Sequence, residues 1–299
     1  MKIEFSIIMP IYNCNYFENA IDSVLQQSYQ NWELIIIDNN KNNDVLKVIK
    51  TKKNRNIKYF KIKNRGIIGM SRNLGIKKSK NAWIAFIDSD DFWYKTKLNE
   101  VVRRIQKGKV DFIYHNMHTY SEKKSIFNKK LYTYEAPNKY SRFENLIING
   151  NDIIQSSVVL RKSILKKSGY LSEKKNLIAW EDFDLWIRIS MCTDKFVLVN
   201  KCLGKYFISE NKIIKHNRFI KNIKNFEKKY KYEIEQLKKN YSIKEIWWIV
   251  YAKALQKYNI KEYDKSIKEL NKIKLKYNKS YLNMIYIRSR IFLKTIFKK

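Results

Sequence analysis

Proline and glycine are scarce in this 299-residue chain, at two and seven residues. That excludes collagen-like and Pro/Gly-rich low-complexity classes. Three cysteines, Cys14, Cys192 and Cys202, stand too far apart for a disulfide framework and form no CxxC pair. A reducing compartment is expected. No run of about 18 uncharged apolar residues occurs, so no membrane-spanning helix is expected. The start, Met1-Lys2-Ile3-Glu4, carries both signs of charge, and the apolar run from Phe5 stops at Pro10 and Asn13, too short for a secretory leader. The expected location is the cytoplasm, free or peripheral on the inner membrane. Acidic residues are also in deficit, with 28 Asp+Glu against 62 Lys+Arg and a net charge of +34.

What is present argues for a folded core. Hydrophobic residues make up 44% of the chain and aromatics 14%, which is too apolar for a disordered polyelectrolyte. The positive charge suggests polyanionic partners: nucleic acid, anionic lipid or phosphorylated substrates. Yet 51 of the cations are Lys and 11 are Arg, in a chain also rich in Ile, Asn and Tyr. AT-rich codon usage produces that mixture without selection for charge, and the shortage of Arg forks counts against base reading. No nucleic acid is expected as a partner.

The first two-thirds alternate strand-like and helix-like segments. Phe5–Tyr12, Trp32–Ile37, Ile57–Ile62 and Ala82–Ile87 read as strands. Asn15–Gln27, Val45–Lys52 and Gly69–Lys78 read as helices. That alternation implies βαβ units in a mostly parallel sheet with helices on both faces, and ligands at the carboxyl ends of its strands. Asp38 and the Asp88–Asp91 cluster fall at two such ends. After residue 215 the texture becomes helical and more basic. The expected domains are 1–215 and an all-helical extension, 216–299, with helices near 219–240, 243–258, 262–277 and 280–297. Residues 201–299 carry a net +19. Ala252–Ile273 faintly resembles a helical-repeat hairpin. The last segment, with Tyr281, Leu282, Ile285, Ile291 and Phe292 against Arg288, Arg290 and Lys294, is a basic amphipathic pattern. It suits an anionic membrane surface, or packing on the rest of the chain.

The strongest chemical signal is Asp88-Ser89-Asp90-Asp91. Three carboxylates in four residues repel one another, and a divalent cation with hard oxygen ligands relieves that. A polar loop capping a helix is the plainer alternative.

Ser6-Ile-Ile-Met-Pro-Ile-Tyr-Asn13, with Ala20-Ile-Asp-Ser-Val-Leu-Gln-Gln-Ser-Tyr-Gln-Asn-Trp-Glu-Leu-Ile-Ile-Ile-Asp38, resembles the N-terminal signature of family 2 inverting glycosyltransferases with the GT-A, Rossmann-like fold. Gly69-Met-Ser-Arg-Asn-Leu-Gly-Ile76, Asp88-Ser-Asp-Asp91 and Trp180-Glu-Asp-Phe-Asp-Leu-Trp-Ile-Arg188 resemble three further blocks of that family, in order, over roughly residues 4–207. The resemblance implies a UDP-sugar donor held by Pro10, Tyr12, Asp38, Asn39, Arg72, Asp88 and Asp90. It implies Mn²⁺ or Mg²⁺ at Asp90 and Asp91, and Asp182 as general base with Glu181 beside it. Arg72 would reach the base or the diphosphate from a helix N-terminus. Trp180, Gln155 and Ser156 are candidate acceptor contacts. The implied acceptor is a saccharide or lipid-linked saccharide of a bacterial surface glycan: lipooligosaccharide, O-antigen, capsule or lipid-linked oligosaccharide.

Two departures stand out. Asn39 follows Asp38 where the family commonly has a second Asp, and Lys205-Tyr-Phe-Ile-Ser209 keeps a Tyr but lacks the family's Arg and His. His115 and His118 read as solvent-facing or acceptor-side. The alternatives are a same-fold transferase with a GDP- or CDP-linked donor, and a non-enzymatic basic nucleic-acid-binding protein, whose affinity would fall steeply with salt. Oligomeric state is left open.

Overall fold

A computed structural model describes residues 2–121, 130–131, 140–208 and 216–273. These residues divide into two compact units: those within 1–137 and 152–211, and those within 138–151 and 212–299. The segment 138–151, expected in the N-terminal domain, is grouped with the helical unit.

The first unit is built on one sheet. β1 (Phe5–Ile11), β2 (Trp32–Asp38) and β4 (Trp83–Phe86) are buried along their whole length, as the unbroken apolar runs require for strands covered on both faces. β3 (Ile57–Lys61) is the half-buried edge. β1 pairs in parallel with β2 from Phe5↔Trp32 to Ile11↔Asp38 and with β4 from Phe5↔Trp83 to Ile8↔Phe86. Pro10 lies beyond the stretch paired with β4, where a missing amide proton costs that ladder nothing. The helices α1 (Phe17–Leu25), α2 (Asp44–Lys52) and α3 (Ile68–Lys78) supply the crossovers.

Beyond β4 the sheet is mixed. β5 (Phe92–Trp93), β6 (Phe112–Tyr120), β8 (Val159–Arg161) and β9 (Phe196–Phe207) complete the order β3-β2-β1-β4-β8-β6-β9-β5, with β7 (Lys130–Leu131) paired to β6. β8 runs antiparallel to β4 and β6, and β5 antiparallel to β9. α4 (Lys97–Gln106), α6 (Lys162–Ser168) and α7 (Glu181–Ser190) belong to this half. β5 follows directly on Asp91, and Trp93 sits opposite Gly204 of β9. A Cβ on Gly204 would lie closer than 3.0 Å to the Phe92 carbonyl oxygen and 3.1 Å from the Met117 methyl. Gly204→Ala is therefore expected to destabilise the unit by about 1–3 kcal/mol, read as a lower urea midpoint at unchanged slope. An unchanged midpoint would mean that β5 is not held against β9.

In the second unit, α5 (Arg142–Asn149) opens on a capping box. The Ser141 hydroxyl accepts from the Glu144 amide at 3.3 Å, and a Glu144 carboxylate oxygen accepts from the Ser141 amide at 2.8 Å. The expected helix over 219–240 is two, α8 (His216–Lys229) and α9 (Lys231–Asn240), broken at Tyr230. α10 (Trp247–Asn259) and α11 (Tyr263–Leu270) pack Trp247, Val250, Ala254 and Tyr258 against Leu270 and Ile273. Ser266 donates to the Ala254 carbonyl at 2.8 Å, a close approach that small residues permit. The basic segment expected near 280–297 lies outside the described residues. Among the described residues no helix is long and apolar enough to cross a membrane.

Candidate active site

The apolar run of β4 gives way to Asp88-Ser89-Asp90-Asp91 at the carboxyl end of the parallel strands. Three carboxylates placed so close need counter-charge. Arg72, on α3 and 4% exposed, donates from Nη2 to Asp88 Oδ1 at 2.7 Å and from Nη1 to Glu181 Oε1 at 2.8 Å. Burial pulls its proton affinity down, but the charges of Asp88 and Glu181 outweigh burial and raise it. Arg72 therefore stays charged and joins the aspartate segment to the start of α7. In this structure the terminal nitrogens of Arg72, expected to reach the nucleobase or diphosphate, each donate to a carboxylate of the protein.

Asp91 is also turned inward. It is 1% exposed, and its Oδ1 accepts from the Phe207 amide at 2.9 Å. Burial, then the Asp88 and Asp90 charges, push its carboxyl well above the usual range. Asp90 lies half-buried between these two, with the Tyr120 hydroxyl donating to its backbone carbonyl. The sequence pairs Asp90 with Asp91 as joint metal ligands; in the structure Asp91 is buried and Asp90 half-buried. Among the described residues no group of three His, Cys, Asp or Glu side chains converges on one metal position. A half-buried carboxylate fits a hard cation such as Mg²⁺ or Mn²⁺, which is commonly held by one or two carboxylates plus substrate phosphates.

α7 begins with Glu181, Asp182 and Asp184 in its first turn, where the helix dipole favours negative charge. Ala179, just before it, takes a left-handed φ of 69° that swings the chain into the helix. Asp182 Oδ1 accepts from the Phe183 amide at 2.7 Å. Burial, and then Glu181, push the Asp182 carboxyl up to about 7, while Arg72 pulls the other way. A carboxylate poised near neutrality is in the range a general base needs.

Tyr12, 66% exposed, stands at the exit of β1. Asp38 is 0% exposed. Its two oxygens accept from the Asn40 amide at 2.8 Å and the Tyr59 hydroxyl at 2.7 Å. Burial and then Asp38 push the Tyr59 phenol up to about 12. Asn39 Oδ1 accepts from the Asn64 amide at 2.9 Å. Of the expected donor set, Tyr12, Asn39, Asp88 and Asp90 present surface, while Pro10, Asp38 and Arg72 are buried.

The acceptor candidates separate in the same way. Trp180 is half-buried and meets the Phe183 ring edge-on at 5.7 Å. The Gln155 amide is buried, and neither of its polar atoms has a hydrogen-bond partner among the described residues. Ser156 has no exposed surface, and its hydroxyl accepts from the Asp88 amide at 2.9 Å, so it cannot touch an acceptor. His115 corrects an expectation. It is wholly buried, with Nδ1 2.9 Å from the Asn116 carbonyl, and burial, then Lys97, hold its pKa well down. His118 Nδ1 lies 2.7 Å from the Tyr94 hydroxyl.

Several residues around the site escape sequence reading. Cys14 Sγ donates to the Ser89 carbonyl at 3.2 Å, and Tyr120 supports Asp90. Their only signal is their position at strand ends.

Residues 6–169 match the sequence profile of Glycosyl transferase family 2. An uncharacterized glycosyltransferase of Rickettsia bellii is 34% identical over 190 residues, covering 62% of this chain and 26% of that protein. This chain spans about a quarter to a third of the length of three such rickettsial relatives. The Escherichia coli UDP-Glc:alpha-D-GlcNAc-diphosphoundecaprenol beta-1,3-glucosyltransferase WfgD is 31% identical over 213 residues, covering 70% of this chain and 78% of WfgD. The S. aureus TarS 1-349 structure in complex with UDP-GlcNAc superposes with a TM-score of 0.60 at 18% identity, covering 94% of this chain and 79% of that one. At that identity the likeness is one of fold.

Proposed function

This chain belongs to glycosyl transferase family 2, and on that premise we propose that it is an inverting glycosyltransferase. It moves a hexose or N-acetylhexosamine from a UDP-sugar to a hydroxyl of a growing surface glycan. The observation that carries this reading is the Arg72 bridge, which ties the aspartate segment to the Glu181–Asp182 pair. Donor and acceptor chemistry then share one rigid frame.

Asp182 takes the proton of the acceptor hydroxyl as that oxygen attacks the anomeric carbon. The new glycosidic bond forms as the bond from that carbon to the diphosphate oxygen breaks, so a single displacement inverts the configuration and UDP leaves. Glu181, held by Arg72, fixes the helix start that carries Asp182. Tyr12 offers a ring beside the nucleoside, and Asn39 and Asp88 offer polar contacts to it. When bound, a Mn²⁺ or Mg²⁺ at Asp90 supplies charge neutralisation for the departing diphosphate. Trp180 and the Gln155 amide line the acceptor side.

WfgD, by its name, uses UDP-Glc and a diphosphoundecaprenol-linked acceptor, and TarS was solved with UDP-GlcNAc. Both support a UDP-sugar here, and WfgD supports a lipid-linked saccharide. Such an acceptor would bring the chain to the inner face of the cytoplasmic membrane, where its positive charge favours anionic lipid.

Calorimetric titration with a panel of UDP-sugars, with and without Mn²⁺, tests the donor assignment. One UDP-sugar is expected to bind in a Mn²⁺-dependent manner, and Asp90→Ala to weaken that binding by about 10- to 100-fold. Binding of GDP- or CDP-sugars alone would replace the donor. Binding that ignores Asp90→Ala would remove it from the cation site.

A further inference from the structure

The mechanism above leaves a wholly buried lysine unused. Lys97, the first residue of α4, is 0% exposed. Its Nζ sits 3.3 Å from the centroid of the Trp93 ring and donates to the Ser156 backbone carbonyl at 2.9 Å. The same carbonyl accepts from Trp93 Nε1 at 2.8 Å. Ser156 in turn offers its hydroxyl oxygen to the Asp88 amide at 2.9 Å. A continuous chain of contacts thus runs from Lys97 and Trp93, through both the backbone and the side chain of Ser156, to the first residue of the aspartate segment. Burial holds the Lys97 pKa well below the usual lysine range, and Asp91, at the other end of that segment, acts against that shift.

Burying an ammonium is costly, and an apolar side chain of similar length would fill the space without that cost. The geometry gives the amine a use. The aspartate segment is held from two sides: Arg72 bonds the Asp88 carboxylate, while Lys97 and Trp93 hold the backbone of Ser156, whose hydroxyl accepts from the Asp88 amide.

We propose that Lys97 and Ser156 are positioning residues for the aspartate segment. They fix the Asp88 backbone, so that the segment meets the cation and diphosphate of the donor with Asp90 already oriented. This rests on the UDP-sugar reading above. Lys97 and Ser156 touch no substrate; they act through Asp88.

The test uses the full chain and UDP as probe, titrated calorimetrically with and without Mn²⁺, beside a thermal melt of each protein. Lys97→Met keeps the length of the side chain and removes its amine and hydrogen bond. Ser156→Ala keeps the backbone carbonyl and removes the hydroxyl that accepts from the Asp88 amide and stands beside the Asp91 carboxyl. Each is expected to weaken Mn²⁺-dependent UDP binding by about tenfold and to leave metal-free UDP binding unchanged. The double variant is expected to lose much less than the product of the two losses, because both act along one chain of contacts. A folded Lys97→Met that binds UDP with Mn²⁺ as wild type does would overturn the proposal and leave the donor reading standing. Equal losses with and without Mn²⁺ would overturn it too, as general loosening of the core. If Lys97→Met does not fold, Ser156→Ala decides by the same two criteria. A wild-type chain that binds no UDP under either condition would sink the donor reading first, and this proposal with it.

Discussion

Asp182→Asn is expected to cut glycosyl transfer by about 10²- to 10⁴-fold while leaving UDP-sugar affinity nearly unchanged, the signature of a lost general base. The amide keeps the shape of the carboxylate, so the Phe183 amide and the α7 start retain their geometry. What is lost is a site that can take a proton. The pH dependence follows from the same burial. The base works only when ionised, and its carboxyl is pushed up to about 7. In the wild type, kcat/KM is therefore expected to rise tenfold per pH unit below about 7 and to level off above it.

Stability runs the opposite way. Between the ordinary carboxylate range near 4 and about 7, the folded chain keeps the Asp182 proton and the unfolded chain has released it. Folding stability from this group therefore falls as pH rises through that window. Above it, the folded state carries the full cost of an ionised, buried carboxylate beside Glu181. Asp182→Asn removes that cost, so the variant is expected to melt higher than wild type at pH 8 and to gain little at pH 4. A functional group that destabilises the fold behaves in this way. A variant that retains near-wild-type transfer, or a wild-type profile flat from pH 5 to 8, would exclude Asp182 as the base.

The parallel half of the sheet was legible because its strands are buried on both faces. Phe5–Ile11 and Trp32–Asp38 are continuous apolar runs with a sharp polar stop, and the stop marks the site. The mixed half was harder. β6 carries His115, Asn116 and His118 within an otherwise apolar strand. That polarity suggests exposure, yet His115 and Asn116 are buried. Ser156 misleads in the same way, since a serine before an apolar strand looks like an exposed strand start until its hydroxyl is seen under Asp88. Lys97 has no sequence signature at all in a chain with 51 lysines. Periodicity reports burial of apolar residues and is silent on a buried lysine. The acidic positions were visible as types and spacings, but their division into a buried Asp91 and a half-buried Asp90 depends on β9. Its Phe207 amide comes from 116 residues further along the chain.

Arg72 shows most clearly what pairwise spacing cannot reveal, since its two carboxylate partners lie 16 and 109 residues away. Arg72→Met is expected to destabilise the first unit by about 3–5 kcal/mol, because it leaves Glu181 and Asp88 without the charge that offsets them. Arg72→Lys should recover part of that loss. An ammonium keeps the charge, but as a single point it cannot present two terminal nitrogens to two separate carboxylates. In a Glu181→Gln background the cost of Arg72→Met should shrink, because one of the two stranded charges is already gone. The same arginine reaches the chemistry. Its positive charge pulls the Asp182 carboxyl down, so its removal is expected to move the acid limb of kcat/KM to higher pH in any Arg72 variant that folds. A purely structural arginine would change the urea midpoint and leave that limb where it is. If both move, Arg72 links the stability of the aspartate segment to the proton affinity of the base. If the limb stays fixed, the bridge is scaffolding alone, and the poise of Asp182 comes from burial and Glu181.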